Sequence, residues 1–196
     1  MDREWRTRSH PSQLLAIVYS FRIPIFMPAT KSTEMIEKLQ KALAKKGYQV
    51  FSNDNKPYNL NIVGIRTDNR KPNKFDDRLC AFWNYNGNWN SVMFQVTTDP
   101  GTYWLKNPGR VSGTAILKPG QYKGSHVIGK HRGKYTALVQ TGAKVSVIRD
   151  YDKDEELDFD SDKVETGFFG INIHRSNSAR SSVNVDKWSA GCTVFA

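Results

Sequence analysis

Residues 79–98 read LCAFWNYNGNWNSVMFQVTT. At the centre, Asn86-Gly87 is the dipeptide best suited to the two successive positive φ angles of a tight hairpin turn. Aromatic and β-branched residues crowd both flanks, so the stretch predicts two antiparallel strands. The same reading extends outward. NLNIVGIRT (59–67) alternates apolar and polar residues, and GTAILKPGQYKG (113–124) and SHVIGKHRGKYTALVQ (125–140) predict further strands. ALVQTGAKVSVIRD (137–150) predicts a hairpin turning at Thr141-Gly142, and GFFGINIHRS (167–176) a short, almost fully apolar strand ending in a histidine.

One segment carries the helical period instead. Met35, Ile36, Leu39, Ala42 and Leu43 recur at helical spacing, Ser32 or Thr33 can cap the start, and Gly47 follows a lysine-rich end. The predicted fold class is therefore mainly β, with one N-terminal amphipathic helix. Residues 31–196 read as a single β-rich domain. Residues 1–30 read as a leader of uncertain order, because Arg3, Arg6 and Arg8 precede the short apolar run LLAIVYSF (14–21). No segment reaches the length of a membrane span.

The 196 residues carry a formal net charge of +10. Asp150–Asp162 holds eight acids and one base, so the remaining 28 bases and 11 acids leave +17 on the rest of the chain. A basic body suits a polyanionic partner such as an anionic cell wall; a solvated basic surface is the plainer alternative. No Lys/Arg run is long enough for a dedicated nucleic-acid patch, and no nucleic-acid partner is expected. Asp150, Asp152, Asp154 and Asp158 fall at positions 1, 3, 5 and 9 of the acidic stretch, which suits oxygen ligation of Ca²⁺. Glu155 at position 6 and Ser161 at position 12 depart from an EF-hand, and the alternative is a solvated acidic loop between strands.

Two cysteines, Cys80 and Cys192, are too few for a disulfide framework and lack Cys-x-x-Cys spacing; one disulfide or two free thiols remain open. Cys192 lies in WSAGC (188–192), a small-residue turn in which Gly191 allows close backbone approach. A thiol acts as a nucleophile when a base or positive field favours its thiolate. His174, ending an apolar strand, can be that base, and backbone N–H groups around Gly191 and Cys192 can face a developing oxyanion. Taken singly, a strand-end histidine is usually structural and a lone cysteine a small buried hydrophobe.

INIHRS followed by WSAGC resembles the L,D-transpeptidase (YkuD-like) catalytic domain, whose signature is a strand-borne histidine, about fifteen residues, then Ser/Thr-His-Gly-Cys. Fourteen residues separate His174 from Ser189. FQVTTDPGTYWL (94–105) is similar to the family's upstream strand region, and the whole arrangement resembles uncharacterised cell-wall enzymes of gut-bacterial phages. The resemblance covers about residues 90–196. It implies an L,D-transpeptidase-like β-sandwich or curved mixed sheets, with Cys192 as nucleophile and His174 as general base. Ser189 and Gly191 match the remaining motif positions, and Trp188, Arg175 and Asn172 are substrate-binding candidates. The implied partners are peptidoglycan stem peptides at the bacterial envelope. A Cys thioester would pass to an amine or to water, with no cofactor required. Ala190 stands where the motif carries histidine, and Val194 where an arginine often follows the cysteine. The alternatives are a phage lytic hydrolase using the same dyad and a non-catalytic virion or wall-binding module.

Overall fold

The computed structural model describes residues 14–20, 32–52 and 59–196, with the backbone alone for 14–20. The opening stretch forms β3 (Asp77–Tyr85) and β4 (Asn88–Thr97), paired from Asp77↔Val96 to Tyr85↔Asn88. Asn86 and Gly87 take φ of +49° and +77°, the pair of positive angles that the turn demands. β2 (Asn61–Arg66) pairs antiparallel with β3 and parallel with β1 (Leu14–Ser20). On its other side β1 pairs with β6 (Gln121–His131), which forms a hairpin with β7 (Tyr135–Gln140). β7 meets β10 (Ile173–Arg175), β10 runs parallel to β11 (Thr193–Phe195), and β11 returns to β4. These eight strands close into a mixed barrel. Thus β1, inside the segment read as a leader, belongs to the barrel; residues 1–13 and 21–30 lie outside the described residues.

The chain is mainly β, and its mixed sheet is curved, one of the two expected forms, curling until its edges meet. The strand pairing differs from expectation in one place. The hairpin expected at Thr141-Gly142 does not form. β7 stays in the barrel, while β8 (Val145–Asp150) joins β5 (Thr114–Leu117) and β9 (Val164–Gly167) in a separate three-stranded sheet. The reason is burial: Val145 and Val147 pack with Ala115, Leu117 and Ile171, partners that β7 does not supply. Gly142 makes the crossing, its N–H donating to the Ser125 carbonyl at 3.0 Å; a Cβ there would lie 2.0 Å from the Gly124 oxygen.

Helix α1 (Ser32–Lys45) forms as its periodicity predicts and ends at Gly47, φ +70°. Met35, Ile36, Leu39 and Leu43 pack on Val63, Ile65, Cys80 and Phe82. Strand alternation sends Ile62, Leu79 and Ala81 to the opposite face, where they cluster with Val96 and Ile173. Burying each such Leu, Ile or Phe side chain contributes about 1.5–3 kcal/mol. A second short helix, α2 (Thr102–Lys106), follows β4. Among the described residues no helix is long and apolar enough to cross a membrane.

A buried polar knot ties the barrel to the small sheet. The Arg66 guanidinium lies 2.8 Å from Asp99 and donates to the Thr98 and Leu117 carbonyls. Asp77 accepts from the Thr67 and Thr98 N–H groups, each at 2.8 Å. Burial pushes the Asp99 carboxyl up to about 7 despite the guanidinium beside it.

Candidate active site

The parallel pair β10–β11 sets the geometry. Its register is Ile173↔Thr193 and His174↔Val194, and the ladder continues with Thr193 N–H donating to the Asn172 carbonyl at 2.9 Å. Parallel neighbours point to the same face, so Asn172, His174, Cys192 and Val194 share one side of the sheet. Ile173 takes the other side, among Ile62, Leu79 and Val96. Cys192 is thus diagonal to His174, with Cα atoms about 8 Å apart by strand spacing and rise. Both cysteines are free thiols; Cys80 is buried under α1 and pushed up to about 12, which leaves it inert.

Cys192 is held in a tightly braced turn. Ser189 is fully buried; its hydroxyl donates to the Cys192 carbonyl at 2.8 Å and accepts from the Gly191 N–H at 3.2 Å. The Ser189 carbonyl takes the Gly101 N–H at 2.9 Å. Gly191 sits at φ +115°, and a Cβ there would lie 2.2 Å from the Ala115 oxygen, so only glycine fits. Ser189 therefore shapes the turn, and the Gly191 N–H is committed within it. The Ala190 side chain is exposed.

The half-buried Cys192 thiol donates to the Gly170 carbonyl at 3.4 Å. Its enclosure raises the thiol above its ordinary range, opposed by the Asn172 backbone and by the charge of Arg132. His174 is 3% exposed. Its Nδ1 lies 2.8 Å from the Arg175 carbonyl, which can only accept, so Nδ1 carries the proton. Nε2 is then the basic lone pair; it is buried and has no hydrogen-bond partner. Burial lowers His174 to about 4, the Arg175 carbonyl opposes this, and His131 and Arg132 lower it further. At neutral pH the site therefore rests as thiol and neutral imidazole.

Several of the side chains around the dyad give no local signal in the sequence. The His131 ring stacks on His174 with centroids 4.0 Å apart and planes 25° apart. The Tyr135 hydroxyl lies 3.0 Å from His174 Nδ1 and donates to the Arg175 carbonyl at 3.1 Å. Gln140, buried at the end of β7, accepts from the Phe169, Gly170 and Ile171 N–H groups and donates to the Ala143 and Gly167 carbonyls. That one side chain shapes the 167–171 loop and aims the Gly170 carbonyl at the thiol. Apart from Ala143, the hydrogen-bond partners of the Tyr135 and Gln140 side chains lie 27 to 40 positions away.

The remaining candidates sit as follows. Asn172 faces the site but is engaged: Oδ1 accepts the Gln140 N–H at 2.9 Å and Nδ2 lies 3.0 Å from His131 Nδ1. Arg175 is exposed with its guanidinium 4.4 Å above the Tyr135 ring. Trp188 is 43% exposed beside the Ser189 turn, available to a ligand. An open groove lined by Phe75, Phe94, Val183 and Phe195 includes neither Cys192 nor His174. In the acidic stretch, Asp150, Asp152 and Asp154 accept the N–H groups of Asp158, Asp154 and Glu156. Glu156 pairs with Lys71 at 2.7 Å, Asp160 with Arg70, and Glu155 with Lys106. Among the described residues no group of three or more His, Cys, Asp or Glu side chains could hold a metal ion. No protein-family model, curated protein or solved structure matches the chain.

Proposed function

We propose that Cys192 and His174 form the reactive pair of a cysteine acyltransferase or peptidase of the L,D-transpeptidase type, acting on peptidoglycan stem peptides. The observation that carries this reading is the shared face of β10 and β11. It sets a half-buried thiol diagonal to a histidine whose Nδ1–H is held by a carbonyl and whose Nε2 has no partner. His174 Nε2 takes the Cys192 proton, and the thiolate adds to the carbonyl carbon of a stem-peptide bond. The Gly191 N–H is bonded to Ser189, which leaves the Cys192 N–H as that turn's donor to the oxyanion. The tetrahedral adduct collapses as the C–N bond breaks, and His174 returns its proton to the leaving amine. The thioester then passes to a second stem's amine or to water. The +17 carried outside the acidic stretch suits an anionic wall.

The thiol's bond to the Gly170 carbonyl favours a second reading, a wall-binding module whose dyad is silent. Incubation with tetrapeptide-stem muropeptides separates the two. The enzyme releases D-Ala or forms dimers by mass spectrometry and Cys192→Ala abolishes both; wild type indistinguishable from Cys192→Ala would refute the enzyme.

A further inference from the structure

We propose that His131 is a positioning residue of the Cys192–His174 site, fixing the plane of the His174 imidazole and offering a neutral π face to the imidazolium formed when Cys192 gives up its proton. This rests on the dyad reading above and adds a group that lies 43 positions from His174 in the chain.

The argument begins at a backbone amide. The Gln140 N–H can only donate, so the Asn172 atom that it meets at 2.9 Å is the oxygen. That fixes the Asn172 amide, and its NH₂ faces His131 Nδ1 at 3.0 Å. His131 Nδ1 must then accept, which makes His131 a neutral ring with its proton on Nε2. The β6–β7 hairpin delivers this ring: His131↔Tyr135 is its last pair, and the Lys134 N–H closes the loop onto the His131 carbonyl at 2.9 Å. The ring lands face to face on His174. His174 is thereby held in plane by Arg175 and Tyr135 at Nδ1 and by His131 on its face, with Nε2 buried and unpartnered.

The electrostatic consequence follows from the stacking. A neutral aromatic face stabilises a cation lying on it, whereas a charged His131 lowers His174, so the pair takes up one proton and resists a second. The groups that bear on His174 are His131 and Arg132 from β6 and its turn, Tyr135 from β7 and Arg175 from β10, and Cys192, just before β11, lies diagonal to it by register. Of these, His131 is the one whose ring plane lies against the imidazole.

The test compares His131→Phe, which keeps an aromatic face, with His131→Leu, which fills the space without one. The readout is the pH–rate profile of iodoacetamide alkylation at Cys192, followed by peptide mass spectrometry, so no wall substrate is needed. The Phe variant is expected to stay within about twofold of wild type at neutral pH and the Leu variant to fall about tenfold, the size of a desolvated cation–π contact. Equal rates in the two variants would overturn the proposal. An independent measurement on the unaltered protein is the ¹⁵N imidazole spectrum: His131 protonated on Nε2 and His174 on Nδ1 are expected, and His131 protonated on Nδ1 would overturn it. If His174→Ala leaves alkylation unchanged, the dyad and this role fall together. If alkylation follows the ring at position 131 while no muropeptide reacts, the wall substrate fails and the positioning role stands.

Discussion

Replacing Gln140 by Met removes five hydrogen bonds while nearly conserving side-chain volume. Gln140 Oε1 accepts from the N–H groups of Phe169 and Gly170 at 2.9 Å and of Ile171 at 3.4 Å, and Nε2 donates to two carbonyls at 2.9 and 3.2 Å. A buried backbone group left without a partner costs about 1–3 kcal/mol. The loop is only part-buried and one of the five bonds is long, so the low end of that range applies to about three groups, giving a loss of about 3 kcal/mol. Against a total of about 5–15 kcal/mol the protein stays folded. With a urea dependence of about 2 kcal/mol per molar, the unfolding midpoint falls by about 1.5 M. The same substitution frees the Gly170 carbonyl from its aim on the thiol, so Cys192 alkylation in native buffer rises several-fold. A midpoint shift below about 0.3 M with unchanged alkylation would show that the loop holds its shape without Gln140.

Other expectations follow from the same geometry. Gly191→Ala places a methyl carbon 2.2 Å from the Ala115 oxygen at φ +115°, so it should lose at least about 3 kcal/mol and the Cys192 turn with it, measured by urea unfolding. Asp99 is raised in the fold to about 7, so its stabilising contribution is full below about 4 and is lost as pH climbs through 7; Asp99→Asn should flatten the fall in stability between about pH 4 and 7, and an unchanged slope would refute the assignment. One oxygen each of Asp150, Asp152 and Asp154 accepts a turn N–H, and Glu156, Asp160 and Glu155 pair with Lys71, Arg70 and Lys106, so Tm should be the same in millimolar Ca²⁺ and in chelator; a rise of several degrees with Ca²⁺ would refute this.

What the sequence makes legible is local. Asn86-Gly87 specifies its turn through the angles those residues tolerate, and α1 follows from apolar residues at helical period with Gly47 after them. The His174–Cys192 spacing is legible only through the resemblance of INIHRS and WSAGC to the family motif; the parallel β10–β11 return is what brings the two segments side by side. Thr141-Gly142 misleads for a physical reason: turn composition reports that the chain bends there, not which sheet the next strand enters. Pairing of β8 with β5 is decided by apolar residues some 30 positions away. Tyr135 and Gln140 escape notice similarly. Each is unremarkable in its own segment and acquires meaning only through partners brought near by barrel closure.

β11 is three residues long and is inserted between β4 and β10. Without it the sheet has two open edges, and Cys192 has no fixed relation to His174. Shutting the barrel and setting Cys192 beside His174 are therefore one event. A partly folded chain, even one with α1 docked and the β3–β4 hairpin formed, carries an unpaired thiol and an idle histidine. Reactivity at Cys192 becomes a readout of whether the last gap in the wall has been filled. Any change that loosens β11 from Thr97 or Val96 should silence the site well before the rest of the core gives way.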